Sequence, residues 1–250
     1  MTRKTADVLR MQVNQGLYEP EYFEMAFSED SDEHTKFLGK IDRVDIYDGN
    51  DLYVKVIDYK SGSKKFSIHD IYTGQQMQLT AYLTEAVKKV KHLHPDRQVK
   101  AGGVYYYLIQ DRYVGDEEEA AKKFRMSGLT NCAPEALHAI DTDPGPSKES
   151  SIAEFKFTGS GLHASSKVAN DGEFEHLMAF VEQKILDAGR RVREGETSVC
   201  PAYENPQKNA CIYCRFRDIC KFEPGKWGSD YRKLPEELDK KEMEREIYGR

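Results

Sequence analysis

The sequence predicts an α/β fold, a mixed central sheet flanked by helices, and three observations predict it. Two alternating, acid-rich segments meet at the Asp48-Gly49-Asn50-Asp51 run, a helical stripe follows over residues 71–90, and residues 99–109 form an apolar run of strand length. A second helical stripe, Phe174, Leu177, Met178, Phe180, Val181, Ile185 and Leu186, closes the core. With 250 residues and 39% apolar content the chain can bury one good-sized core. The expected division is a core over 1–195 with an insertion of low order at about 112–171, a cysteine-rich segment over 196–224, and a charged helix or tail over 225–250.

The hairpin comes first. Residues 41–47 and 52–60 pair antiparallel around a turn near Asn50, where Gly and Asn supply the backbone freedom that a tight turn needs. Counting outward from that turn places Asp42 opposite Asp58 or one residue away, and opposed residues sit about 5 Å apart at Cβ. Alternation puts Lys60 on the face of Asp58, with Val54 and Val56 filling its inner side. Two carboxylates and an ammonium so gathered suffice to hold a hard divalent cation and orient a water against a phosphate. A structural ion pair is the other reading of the same residues. An unpaired charge buried in an apolar strand costs roughly several kcal/mol, which disfavours chance placement of Asp58 and Lys60 there. Asp45, Asp48 and Asp51 read as solvated turn acids.

The following helix is expected over 71–90, with Thr73-Gly74 at its start and Lys88, Lys89 and Lys91 suiting the negative end of its dipole. Gln78 and Tyr82 are four apart and leave one face together, positioned for substrate or a metal-bound water. A partly exposed Gln and an ordinary interfacial Tyr is the plainer alternative. Residues 99–109 then supply a buried strand beside the hairpin. Gly, Pro, Ser and charge dominate 112–171, where a short helix over 117–124 and a break at Asp143-Pro144-Gly145-Pro146-Ser147 are expected. The helix over 173–194 carries the second stripe.

Three of the five cysteines fall in Cys211-Ile212-Tyr213-Cys214-Arg215-Phe216-Arg217-Asp218-Ile219-Cys220, and a Cys-x-x-Cys pair lets two thiolates grip one metal centre. Cys200 is the nearest further thiol, so a four-cysteine zinc site stays open, while Cys132 reads as an ordinary thiol. No secretory segment precedes these cysteines, which disfavours disulfides. The net charge of -6 is unusual for a protein that approaches phosphates, but the charge need only be local. Lys208, Arg215, Arg217, Lys221, Lys226, Arg232 and Lys233 surround the cysteines, and Lys60, Lys64 and Lys65 flank the acidic hairpin. Without a transmembrane run or a targeting segment, the expected location is cytoplasmic and no membrane partner is expected. No Gly-x-x-x-x-Gly-Lys-Ser/Thr loop occurs, so an ATP-driven motor is not in these residues.

Gly39-Lys40-Ile41-Asp42-Arg43, then Asp58-Tyr59-Lys60-Ser61-Gly62, then Gln78-Leu79 with Tyr82 resemble in order the three motifs of the RecB-like branch of the PD-(D/E)XK nucleases. Ser127-Gly128-Leu129, Gly159-Ser160-Gly161-Leu162 and Ser165-Ser166-Lys167-Val168 extend the likeness to nuclease domains of the AddB type over most of the chain. The resemblance implies a restriction-endonuclease-like PD-(D/E)XK core in which Asp42, Asp58 and the backbone carbonyl of Tyr59 ligate Mg²⁺ or Mn²⁺. Lys60 would orient the attacking water, and Gln78 and Tyr82 would position the scissile strand. It also implies a 4Fe-4S cluster on Cys211, Cys214 and Cys220, whose fourth cysteine is expected ahead of Met1, with Cys200 as the substitute. The chain is then expected to begin inside a longer nuclease domain, past the helix histidine of such sites. His34, in the charged run Glu29-Asp30-Ser31-Asp32-Glu33-His34, is not assigned as a ligand. The implied function is metal-dependent hydrolysis of DNA during double-strand break processing for recombinational repair. Its substrate would be the single-stranded DNA ends of a processed duplex, and its partner an AddA-like helicase–nuclease subunit. A nuclease-fold DNA-binding module without turnover, or a stand-alone RecB-like exonuclease with a four-cysteine zinc site, are the competing readings.

Overall fold

The computed structural model describes residues 3–32, 35–109, 124–144, 148–226, 228–234 and 240–249. After helix α1 (Arg3–Gln15), strands β1 (Glu19–Asp32), β2 (Thr35–Asp48) and β3 (Leu52–Lys60) form an antiparallel meander. Helices α2 (Ile68–Tyr72) and α3 (Gln78–Leu93) then carry the chain over to β4 (Val99–Leu108), which pairs parallel to β3. A parallel pair requires such a crossover, and its helices bury both strands. Strand β5 (Ser127–Asn131) adds antiparallel to β4. Helix α4 (Pro134–Ile140) and the small pair β6 (Phe157–Thr158) and β7 (Gly161–Leu162) follow, and β8 (Val168–Ala169) joins β5 in parallel. The sheet order is β1-β2-β3-β4-β5-β8, the mixed sheet that the sequence predicts.

Period-two alternation gives this sheet two apolar faces. Val44, Val54, Val56, Val104 and Leu129 meet Leu79 and Leu83 of α3 and Phe174, Leu177 and Val181 of α5 (Asp171–Arg193). Tyr53, Ile57, Tyr105 and Tyr107 meet Leu137 and Ile140 of α4, with Leu9 of α1 packed alongside. A capping box starts α5, in which the Asn170 side chain accepts from the Glu173 N–H while the Glu173 carboxylate accepts from the Asn170 N–H.

Two expectations change. The helix over 71–90 is two helices: Ser67 caps α2 by accepting from the Asp70 N–H, and Gly74, at φ +80°, turns the chain after Thr73. Thr73-Gly74 is therefore an exit, and Gly74 occupies the left-handed position that ends helices. The low-order insertion over 112–171 is narrower than expected, because β5, α4 and β8 belong to the core. Gly128 explains why so polar a strand fits there: a Cβ would lie 1.9 Å from the Val104 carbonyl oxygen. Thr130 Oγ1 accepts from the Tyr105 hydroxyl at 2.7 Å, and Asn131 Nδ2 donates to the Ala101 carbonyl and to Asp171 Oδ1, each at 2.7 Å. His34, residues 117–123 of the expected short helix, and Gly145, Pro146 and Ser147 of the expected break lie outside the described residues.

Beyond α5 the chain builds a three-stranded sheet of order β10-β9-β11 from β9 (Ala202–Asn205), β10 (Lys208–Asn209) and β11 (Arg232–Lys233), with helix α6 (Arg217–Cys220) between the last two. It then returns as α7 (Lys240–Tyr248), whose Ile247 and Tyr248 are buried in the main core. The charged end is thus a docked helix. No described helix is long and apolar enough to cross a membrane.

Candidate active site

The β2–β3 register pairs Arg43 with Ile57, and the next step along brings Asp42 across from Asp58. Asp42 Oδ2 accepts from the Tyr59 N–H at 2.8 Å. Asp58 is 2% exposed, and its Oδ2 lies 2.5 Å from Lys60 Nζ at an angle that makes an ion pair but no directed hydrogen bond. Lys60 Nζ is also 3.5 Å from Gln78 Oε1, and Gln78 Nε2 donates to the Tyr82 hydroxyl at 2.8 Å. Gln78 opens α3 and Tyr82 sits one turn on, so the break before α3 aims its first turn at the end of β3. The structure brings Asp42, Asp58, Lys60, Gln78 and Tyr82 to one place.

Burial pushes the Asp58 carboxyl above its ordinary range, Lys60 pulls it back, and Asp42 pushes it further up. Two adjacent carboxylates, one holding a buried oxygen with no directed donor, form an arrangement that a hard cation relieves. These residues fit a divalent ion.

Two further residues join them that sequence reasoning did not assign. The β3–β4 register sets Tyr106 beside Asp58, and its fully buried hydroxyl has no hydrogen-bond partner. Lys60 and Lys64 place their ammoniums 5.9 and 5.2 Å from the centre of its ring. Only the parallel register could have found Tyr106, and no tight turn fixes that register in the sequence.

The opposite face of the hairpin corrects a second expectation. Asp45 is not a solvated turn acid but is fully buried, bound by Arg43 Nε and Nη2 at 2.6 and 2.7 Å and by Lys55 Nζ at 3.0 Å. Asp48 and Asp51 do lie towards the surface, paired with Arg97 and Lys100.

Cys211, Cys214 and Cys220 line one open cavity of about 530 Å³ together with Arg217, Phe222 and Tyr231. Burial raises the pKa of the Cys211 thiol, and the nearby Cys214 and Cys220 raise it further. Thiols that oppose one another's ionisation suit a shared metal centre. Cys200 is exposed and does not line this cavity. A second group of ligand-type atoms, from His69, Asp70 and Glu204, lies within 4.8 Å of one another. A cation already serves it: Lys208 Nζ is 3.2 Å from Asp70 and 2.7 Å from Glu204. This contact ties the cysteine segment to α2 across 138 positions, a separation that no local motif reveals.

The model of the PD-(D/E)XK nuclease superfamily matches residues 1–221. AddB of Lachnoclostridium phytofermentans, a subunit of its ATP-dependent helicase/deoxyribonuclease, is 35% identical, the match covering 96% of this chain and 22% of that protein. The AddB proteins of Listeria innocua and Geobacillus kaustophilus are 32% and 30% identical, covering 83% and 86% of this chain and 19% of each relative. The chain therefore spans about a fifth of the length of these curated relatives.

Proposed function

Because the chain belongs to the PD-(D/E)XK nuclease superfamily, we propose that its hairpin site hydrolyses DNA phosphodiester bonds with a bound Mg²⁺ or Mn²⁺. The observation that carries this is the buried Asp58 carboxylate, short of directed donors, set beside Asp42 and Lys60. Asp42, Asp58 and the Tyr59 carbonyl would hold the ion. When bound, the ion supplies a water of lowered pKa and neutralises charge gathering on the phosphate. Lys60, anchored by Asp58 on one side and Gln78 on the other, presents its ammonium to the attacking water and the developing oxyanion. Gln78 fixes the lysine, and Tyr82 fixes Gln78 while its ring packs edge-on against Phe27.

The named relatives support a wider role as the nuclease domain of a helicase–nuclease that processes double-strand breaks for recombination, cutting single-stranded ends beside an AddA-like subunit. This reading carries a cytoplasmic location. We also infer a 4Fe-4S cluster on Cys211, Cys214 and Cys220, supported by the three thiols on one cavity, with its fourth ligand supplied from outside that cavity. A zinc site completed by Cys200 has less support, since that thiol lies away from the other three. Iron with broad visible absorption after anaerobic purification is expected; zinc alone would overturn the cluster.

The variants Asp58→Ala and Lys60→Ala test the active site. Each is expected to lower Mg²⁺-dependent cleavage of single-stranded DNA by about a hundredfold or more. Undiminished cleavage by either variant would remove these residues from the chemistry.

A further inference from the structure

The Asp58 row of the sheet continues past the residues used so far. Tyr106 is its next member, and Ser127 of β5 follows through the β4–β5 register. Two ammoniums share the Tyr106 ring, but they are neutralised differently. Lys60 has Asp58 and Gln78. Lys64 is half-buried, and among the described residues no carboxylate lies within ion-pair distance of it; its contact is the ring. Burial, and after it the charge of Lys60, weigh against its ammonium, while Asp58 and Asp70 favour it from further off. Beneath both lysines the Tyr106 hydroxyl is buried with nothing to bond.

A cation and a buried hydroxyl left unmatched beside a site for one phosphate call for a second anion. On this face the acids of the hairpin give way to the two lysines in a single step across the strands. An anionic chain bound along the row meets Asp42 and Asp58 through its cation at one phosphate and Lys64 at the next. Beyond Ser127 the row opens into a groove of about 530 Å³ lined by Phe66, Leu162, His163, Ser166, Lys167 and Tyr248, room for the strand to leave the sheet. Apolar and aromatic walls beside cations are the surface that single strands favour.

We propose that Lys64, seated on Tyr106, is the binding site for the phosphate adjacent to the scissile one, so that the site selects a strand of DNA over an isolated phosphodiester. The proposal rests on the nuclease reading, and its test is read without cleavage. Anisotropy titrations of fluorescent oligothymidylate, with Ca²⁺ in place of Mg²⁺, measure how affinity falls with salt. Each phosphate contact on a single strand contributes about 0.7 to the slope of log K against log salt. Lys64→Gln is expected to shallow the slope by about 0.7, with the loss of affinity greatest at low salt, and Lys64→Arg is expected to restore both. A slope indifferent to Lys64→Gln overturns the proposal even if the protein cleaves DNA. A protein that shows the expected change yet never cleaves with Mg²⁺ leaves the phosphate subsite standing and overturns the nuclease reading.

Discussion

Asp45 and Asp58 lie on adjoining strands, both almost wholly buried, and their surroundings treat them in opposite ways. Asp45 is ringed by Arg43 and Lys55, so its charge is matched and it serves as scaffold. Asp58 has one lysine and faces a second acid, which is the under-compensated state that marks reactive groups. Asp45→Ala strands two buried cations and is expected to cost about 3–5 kcal/mol in urea unfolding; a loss under about 1 kcal/mol would mean the cluster relaxes to solvent. Asp58→Asn should act the other way while abolishing cleavage. The folded state holds the Asp58 carboxyl above its unfolded pKa, so ionising it opposes folding at neutral pH. The metal-free variant should therefore melt higher than the parent at pH 7, and the gap should close as pH falls below about 4, where both states are protonated. A parent that melts higher at pH 7 would refute the sign. The Asp42–Asp58–Lys60 placement was legible because a tight turn sets an antiparallel register by counting. Asp45 was misread because closeness to the Gly49-Asn50 turn suggested solvent, whereas β2 runs on to Asp48 and keeps Asp45 inside the strand.

Elements were legible where periodicity was long and sequence signals agreed, as in β3, β4 and α5. The apolar stripe of residues 71–90 passes through Thr73-Gly74 without losing phase, which hid the break that lets α3 begin at Gln78. Strand β5 was invisible for a different reason: Ser127-Gly128-Leu129-Thr130-Asn131 has one large apolar residue, and its burial depends on hydrogen bonds to distant partners. Strand β4 has the converse character. Tyr105, Tyr106 and Tyr107 are consecutive, at most 1% exposed, and all held above the ordinary phenol range, chiefly by burial. The unfolded chain ionises its tyrosines near pH 10 while these three stay neutral in the fold, so the unfolded state loses protons first and stability falls as pH rises past about 10. Urea midpoints should drop through that range in step with phenolate absorbance at unfolding. A midpoint that holds level to about pH 11 would show these hydroxyls to be solvated.

At the scale of the whole molecule, the cysteine segment is an excursion fastened at both ends. It leaves the core at the end of α5, touches α2 through Lys208, and rejoins the core when α7 packs its last turn beside α5. The excursion itself is poorly covered: Tyr213, Phe216 and Ile219 are 95%, 62% and 84% exposed. The surface Lys208 contacts contribute at most about 1 kcal/mol, so the return of α7, and not the excursion, supplies most of the closing stability. Ile247→Ala separates these contributions, because Ile247 is fully buried in the cluster that holds Leu79, Phe174 and Leu177. It is expected to cost about 2–5 kcal/mol in the unfolding of the sheet itself. Ile219→Ala removes the same side chain from an exposed site and should stay within about 0.5 kcal/mol of the parent. Equal effects of the two substitutions, read by far-ultraviolet circular dichroism in urea, would show that α7 does not close the nuclease core.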